Sequence, residues 1–297
     1  MAGRLVVCPT PIGNLEDVTL RVLSALREAD AVACEDTRRT RVLLDRYGVS
    51  ARLVSYHEHN EERRAAELVE WMRSGQVVAL VSDAGMPLVS DPGYVLVRAC
   101  VGAGLAVEVL PGPSAALAAL VASALPADSW RFVGFLPRRR GDLRRALAAP
   151  GATLVAFESP RRVPATLKLL AELDPSREAA VCRELTKVHE EVVRGSAAEL
   201  AERYAESPPR GEVVLVIGAP VARVGSAAEA DGPAGLDQLE RLVASGARPR
   251  LAAAAVAELT GASANGLYRA LAARRAATED DELPTGSDRR KPDGTSE

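Results

Sequence analysis

Residues Val77 to Gly93 read VVALVSDAGMPLVSDPG, an unbroken aliphatic run that stops abruptly at Ser, Asp, Gly and Pro. A short continuous run of this kind predicts a strand buried on both faces, here Val77 to Ser82. The turn after it holds residues whose backbone takes shapes that others resist, so a ligand can approach bare main chain there. The same grammar recurs in LVVCPTPIGN (Leu5 to Asn14) and VEVLPGPSAA (Val107 to Ala116), and an apolar run ends on glycine once more in GEVVLVIG (Gly211 to Gly218). The first three read as strand-to-helix turns. Brought together, such turns would form one pocket.

Outward from these segments the pattern alternates. Strands are predicted at Arg4 to Cys8, Ala31 to Glu35, Arg52 to Ser55, Val77 to Ser82 and Ala106 to Leu110. Helical patterns fall between them at Thr19 to Ala29, Thr37 to Tyr47, Glu61 to Ser74 and Gly93 to Ala103. Apolar strands alternating with helices imply an α/β domain with a parallel sheet covered on both faces, assigned to residues 1–112. An Ala-rich helix, Ser114 to Ala124, then opens a second α+β domain, 113–219. Its strands are predicted near Arg131 to Phe135, Thr153 to Glu158, Ala179 to Leu185, Glu191 to Arg194 and Val213 to Gly218. Two of these are separated by only a few residues within Glu178 to Gly195, which favours a hairpin and a mixed sheet. Residues 220–234, rich in Ala, Gly, Pro and Ser, read as a flexible linker. Residues 235–277 read as three short helices resembling a helix-turn-helix, a pattern shared by any small helical bundle. The acidic stretch 278–297 reads as a disordered tail.

The chain has 297 residues, 47% hydrophobic and 3% aromatic, enough for aliphatic cores in two or three domains. Cys8, Cys34, Cys100 and Cys182 are widely spaced without a C-x-x-C pair, so they read as small core residues in a reducing compartment. No leader pattern and no membrane-length apolar run is evident, and the expectation is a soluble cytoplasmic protein without membrane partners. The tail carries −4 of the net charge of −3, which leaves +1 on residues 1–277. Within that nearly neutral body arginines cluster at 38, 39 and 41, at 63 and 64, at 138–140, 144 and 145, and at 161 and 162. Such clusters suit a polyanion, and equally suit solvated helix faces.

Several nucleotide and hydrolase signatures are missing. There is no G-x-x-x-x-G-K-[ST] loop and no G-x-G-x-x-G after the first strand, which disfavours a ligand held mainly by its phosphates. The G-P-S-A around Ser114 fails the spacing of a nucleophile elbow, so Ser114 caps a helix or touches a ligand. In SYHEHN, His57 and His59 could share a face as metal ligands, but His189 is the only other histidine and no metal set results. The better functional reading is a polar loop at the carboxyl edge of the sheet, where open α/β folds bind substrates, and the plain alternative is a surface loop.

Taken in order, PTPIGNLEDVT (Pro9 to Thr19), EDTR (Glu35 to Arg38), SYHEHN (Ser55 to Asn60), LVSDAGMPLVSDPG (Leu80 to Gly93), LPGPSA (Leu110 to Ala115), GFLP (Gly134 to Pro137), FESPRR (Phe157 to Arg162) and RELTK (Arg183 to Lys187) carry a resemblance. The chain resembles the ribosomal RNA small subunit methyltransferase I family, within the tetrapyrrole-methylase-like superfamily. The likeness runs from about residue 4 to residue 218 and extends to the helical unit. It implies a two-lobe fold, S-adenosylmethionine as cofactor, 2'-O-methylation of a cytidine in small-subunit ribosomal RNA, free or in the assembled subunit, and a homodimer. By position it also implies cofactor-binding roles for Pro9, Gly13, Ser82, Asp83, Ala84, Gly85, Pro87, Ser114, Ala115, Phe135 and Val213, with Glu184 approaching from the second domain.

Two positions depart from the family pattern. Met86 stands where members usually carry Thr, and Arg161 where they often carry His, so Arg161 reads as a phosphate contact. Arg38, His57, His59, Asn60, Arg138, Arg161 and Arg162 are the candidates for RNA contact. A sulfonium donor with a neutral adenine needs apolar walls and few phosphate-binding groups, and the turns supply these. Methyl transfer to a ribose hydroxyl needs in-line positioning and removal of a proton. Glu158 or Glu184 is the candidate base, with Lys187 as cationic stabiliser and His57 as an outside candidate. The plain alternatives are that Glu184 binds the cofactor, Glu158 orients Arg162 and Lys187 contacts a phosphate. Two other functions compete: methylation of a tetrapyrrole or protein on the same fold, which leaves the arginine clusters unused, and nonenzymatic RNA binding, which leaves the turns unexplained.

Overall fold

The computed structural model describes residues 3–220, 233–260 and 263–280. Its first sheet contains β1 (Arg4–Cys8), β2 (Ala31–Cys34), β3 (Leu53–Ser55), β4 (Val77–Val81) and β5 (Ala106–Val109), in the order β3-β2-β4-β1-β5. Every pairing is parallel. Four helices connect these strands: α1 (Leu20–Glu28), α2 (Thr37–Arg46), α3 (Glu61–Arg73) and α4 (Tyr94–Gly102). Parallel strands require such crossovers, and each crossover covers a sheet face. Leu5 and Val7 join Leu80, Leu68, Met72 and Leu96 in one core, while Val6 and Cys8 join Val81, Val22, Leu26 and Leu44 in another. Alternate residues of one strand thus feed two apolar layers. β5 is the exception to the expected burial. It lies at the sheet edge, and Ala106, Glu108 and Val109 are exposed.

The second sheet contains β6 (Trp130–Phe135), β7 (Thr153–Glu158), β8 (Glu178–Arg183), β9 (Glu191–Ser196) and β10 (Val213–Ile217), in the order β6-β7-β10-β8-β9. β6 runs parallel to β7 and the other pairings are antiparallel, so the sheet is mixed, as the hairpin signal implies. Helix α5 (Ala115–Ser123) packs Ala116, Ala119 and Leu120 on one face of it. The other face is covered by α6 (Arg140–Ala148), α7 (Val163–Leu173) and α8 (Ala197–Tyr204), none of which the sequence reading placed. β8 stops at Arg183 rather than Leu185, because Glu184 and Thr186 take left-handed backbone (φ 50° and 65°) that ends the ladder. All four cysteines are buried and unpaired.

Both sheets belong to one compact unit ending at Pro220, and the residues beyond it form another. The second unit contains α9 (Pro233–Ala244), α10 (Pro249–Thr260) and α11 (Ala264–Asp280), with a core of Leu239, Ala252, Ala253, Val256, Leu267 and Leu271. α11 runs to Asp280, three residues into the stretch read as a tail, since no Gly or Pro interrupts the chain there. Most of the linker and the rest of the tail lie outside the described residues. No helix among the described residues is long and apolar enough to cross a membrane.

Candidate active site

In this strand order β1 and β4 are neighbours, so the turns that follow them emerge side by side. The two turns are laced together. The Thr10 N–H donates to the Gly85 carbonyl and the Gly85 N–H to the Thr10 carbonyl, each at 2.9 Å. The Thr10 hydroxyl donates to the Ser82 carbonyl at 3.0 Å, and the Ser82 hydroxyl to the Gly85 carbonyl at 2.7 Å. Pro9 lies against Gly112, which brings the turn after β5 onto the turn after β1. From the second sheet the turn Leu185–Lys187 closes on Gly13, with the Asn14 N–H donating to the Thr186 hydroxyl at 3.0 Å.

Beside these turns lies a cavity of about 390 Å³. The first sheet's side supplies Ile12, Ala84, Gly85, Met86, Val89, Ser90 and Asp91, and the start of α5 adds Ser114 and Ala115. The second sheet's side supplies Phe135, Phe157, Glu158, Ser159, Pro160, Cys182, Leu185 and residues 211–214. Phe135 is 63% exposed and stands edge-on to Phe157, with ring centroids 5.5 Å apart. The walls are mainly apolar, with main chain at Gly85 and Gly211 and a few polar groups, a composition that suits a compact ligand with a hydrophobic body.

Of the residues proposed for the cofactor, Ala84, Gly85, Ser114, Ala115, Phe135 and Val213 line this cavity. Ser114 also caps α5, its hydroxyl accepting from the Leu117 N–H at 3.5 Å. Ser82 is turned inward to Gly85, and Pro9, Gly13 and Pro87 lie in the surrounding turns. Asp83 faces a second, open cavity. There it accepts from the Asp36 N–H at 3.0 Å and pairs with Arg39 at 3.4 Å.

The proposed catalytic groups are tightly partnered. The Glu158 carboxylate accepts from the Ser159 N–H at 2.8 Å and the Thr166 hydroxyl at 2.9 Å, and pairs with Arg162 at 3.2 Å. Arg162 in turn donates to the carbonyls of Leu136 at 3.0 Å and Pro137 at 2.6 Å. Glu184 accepts from the Glu212 N–H at 2.8 Å and from Lys187 at 2.9 Å, and in that order these bonds hold its carboxyl below the usual range. Burial alone would lower the Lys187 ammonium, but its bonds to Glu184 and Glu212 (3.0 Å) raise it above its ordinary value. Neither Glu184 nor Lys187 lines the apolar cavity.

The second cavity, about 460 Å³ and open to solvent, gathers Glu35, Asp36, Thr37, Arg38, Arg39, His57 and Asp83. Arg38 pairs with Asp36 at 2.9 Å and, ahead of all else, lowers that carboxyl to about 2. Asn60 braces the loop: its side chain accepts from the His57 N–H at 3.0 Å, donates to the Ser55 carbonyl at 3.2 Å and meets His57 Nε2 at 3.1 Å. His59 is exposed, its ring 6.0 Å from that of His57. Arg138 and Arg161 are exposed and have no ion pair among the described residues.

Sequence reasoning did not single out Asp91. Burial first, then the charges of Glu35 and Asp83, raise its carboxyl to about 7. The signal was present in SDPG, which repeats the Ser-Asp of SDAG eight residues on. Phe157, Cys182 and Leu185 were hidden because strand periodicity marks them only as core.

Residues 4–201 match the family of Tetrapyrrole (Corrin/Porphyrin) Methylases. A relative named ribosomal RNA small subunit methyltransferase I, from Mesorhizobium japonicum, is 48% identical over 272 residues, which is 90% of each chain. The chain belongs to the ribosomal RNA small subunit methyltransferase I family. A member from Thermotoga maritima is 43% identical over 217 residues, covering 72% of this chain and 98% of its own. Among solved structures, uroporphyrin-III C-methyl transferase from Thermus thermophilus, complexed with S-adenyl homocysteine, is 25% identical. It superposes with a TM-score of 0.52 over 75% of this chain and 100% of its own. In the family's terms the match takes in the first sheet, the turns after β1, β4 and β5, and the second sheet as far as α8. Only β10, with Gly211 and Glu212 before it, brings cavity residues from beyond the matched range.

Proposed function

We propose that this chain transfers a methyl group from S-adenosylmethionine to the ribose 2'-hydroxyl of a cytidine in small-subunit ribosomal RNA. The observation that carries the reading is the convergence of three Gly/Pro turns on one apolar cavity in a chain whose relatives bear that enzyme's name. The cofactor, when bound, supplies an electrophilic methyl group on a sulfonium sulfur. Ala84, Gly85, Ser114, Ala115 and Val213 hold it through main chain and small side chains, while Phe135 and Phe157 keep water from it. Water exclusion and fixed positioning account for much of the acceleration in a transfer of this type.

The acceptor RNA reaches the site past Arg38, His57, His59 and Asn60, with Arg138 and Arg161 meeting phosphates. The hydrogen bonding of Glu158 and Glu184 supports bracing roles for both, with Arg162 and Lys187 as their cationic partners. Two copies pair in this reading, supported by exposed apolar side chains on β5 and α5: Val109 at 58%, Leu117 at 50% and Val121 at 80% exposure. The enzyme works in the cytoplasm, where its RNA is found.

Incubation with methyl-labelled cofactor and, separately, small ribosomal subunits, free ribosomal RNA and a tetrapyrrole tests the reading. Label on a single cytidine ribose, mapped by mass, is the expected result. Label on the tetrapyrrole alone would overturn it.

A further inference from the structure

Three acidic residues line the apolar cavity: Asp91, Glu158 and Glu212. Glu158 is held by Ser159, Thr166 and Arg162, and Glu212 by Lys187. The Asp91 carboxylate has no hydrogen-bond or ion-pair partner among the described residues. Its position is also enforced. Leu88 and Ser90, both non-glycine, take left-handed backbone at φ 73° and 68°, and Gly93 follows at 137°. Such conformations persist only where the surroundings hold them, and they gather at functional sites. The bulged strand β6 passes close by, since a Cβ at Gly134 would lie 3.3 Å from the Ser90 hydroxyl.

Asp91 also feels charges from outside its own cavity. It lines the apolar one, and its charge is coupled to Glu35 and Asp83, which line the open one beside Arg39 and His57. We infer that Asp91 is the catalytic base that takes the proton of the acceptor hydroxyl during methyl transfer. The inference rests on the methyl-transfer reading above and deepens it.

The step balances. A lone pair of the ribose oxygen forms the new O–C bond, and the C–S bond breaks with its electron pair passing to sulfur, which becomes a neutral thioether. The O–H electrons stay on oxygen, and the proton moves to a carboxylate oxygen of Asp91 and from there to water. The groups facing Asp91 set its affinity for that proton. Glu35 just after β2 and Asp83 after β4 add negative charge and Arg39 partly offsets Asp83, while Glu158 is paired with Arg162 and Glu212 shares Lys187 with Glu184. Burial with two like charges raises the carboxyl to about 7, where a base is half ionised at physiological pH and well matched to the transfer.

The test is Asp91→Asn in the full chain, which keeps the shape and removes the base. Turnover should fall on the order of 10²- to 10⁴-fold, while calorimetry finds the affinity for S-adenosylhomocysteine essentially unchanged. Wild-type turnover should rise with pH through about 7, and residual D91N turnover should lose that limb. A readout independent of activity is the urea midpoint against pH. The folded wild type holds a proton on Asp91 that the unfolded chain releases near 3.8, so its midpoint should fall between pH 4 and 7, with a shallower fall in D91N. D91N with wild-type turnover and an unchanged pH profile overturns the inference alone. A loss of cofactor affinity as large as the loss of turnover also overturns it, by making Asp91 a binding residue. Absence of transfer by the wild type to any RNA removes the reading beneath it, and the inference with it.

Discussion

Gly13 and Gly211 occupy positions that no Cβ can enter without moving a neighbour. At Gly13 an added carbon would lie 2.5 Å from Lys187 Cγ, 2.8 Å from the Thr186 hydroxyl and 3.0 Å from the Leu185 carbonyl. The turn that seals the first sheet to the second would have to retreat, carrying Leu185 out of the cavity wall. Gly13→Ala should therefore destabilise by about 1–3 kcal/mol, the usual penalty of overpacking, and weaken cofactor binding in the same samples, checked by urea unfolding and calorimetry. Gly13 was legible in PTPIGN as a turn glycine, but its close approach to Leu185, Thr186 and Lys187 is tertiary and left no local sign. Gly211 was not singled out as a site residue, since nothing local announces that Glu184 will lie across it. Glu158 separates bracing from chemistry. Its side chain is fully buried against Thr166 and Arg162, so Glu158→Ala strands a cation and a hydroxyl and should destabilise by about 3 kcal/mol. A variant that folds at lowered temperature and regains most of its turnover would confirm that Glu158 is a support.

Among the elements, those with simple periodicity were read to within a residue or two: β1, β4, β7, β10 and helices α1 to α5. The misses share a physical cause. Helices α6, α7 and α8 each follow a strand by a short turn, and their apolar residues are few enough to pass for loop: Leu143 and Leu147 in α6, and Ala197, Leu200 and Tyr204 in α8. Helix α7 was readable in principle, from Val163, Leu167 and Leu170 behind a proline in the first turn. α8 also carries a complete start signal in SAAE. The Ser196 hydroxyl accepts from the Glu199 N–H at 3.3 Å, and the Glu199 carboxylate accepts from the Ser196 N–H at 2.8 Å. Ser196→Ala removes half of this box at the junction of β9 and α8, and chemical denaturation should report a loss of about 1 kcal/mol with turnover at saturating substrates unaltered. The edge strand β5 was read as buried because periodicity cannot tell a central strand from one at the rim.

At the scale of the molecule, the turns declared the cavity but not the partners of each charged group. Ion pairs between distant segments, such as Arg39 with Asp83, depend on tertiary approach and leave no local trace. The division into units is more direct. The hydrophobic clusters around the two sheets draw no described residue from beyond Ile217, and the helical cluster draws none from before Leu236. Every residue lining the apolar cavity falls between Ile12 and Val214. The Thermotoga maritima relative, matched over 98% of its length by 72% of this chain, leaves no room for a further unit of the size seen here. Removal of residues 221–297 should therefore leave a cooperatively folding fragment that binds S-adenosylhomocysteine with full-length affinity. If the helical unit grips RNA, the same fragment should show a raised KM for ribosomal RNA at an unchanged kcat, because contacts remote from the reacting atoms add binding without altering the step itself. Calorimetry reads the first quantity and steady-state transfer the second. Weakened cofactor binding by the folded fragment would refute the assignment of the whole cavity to the first unit.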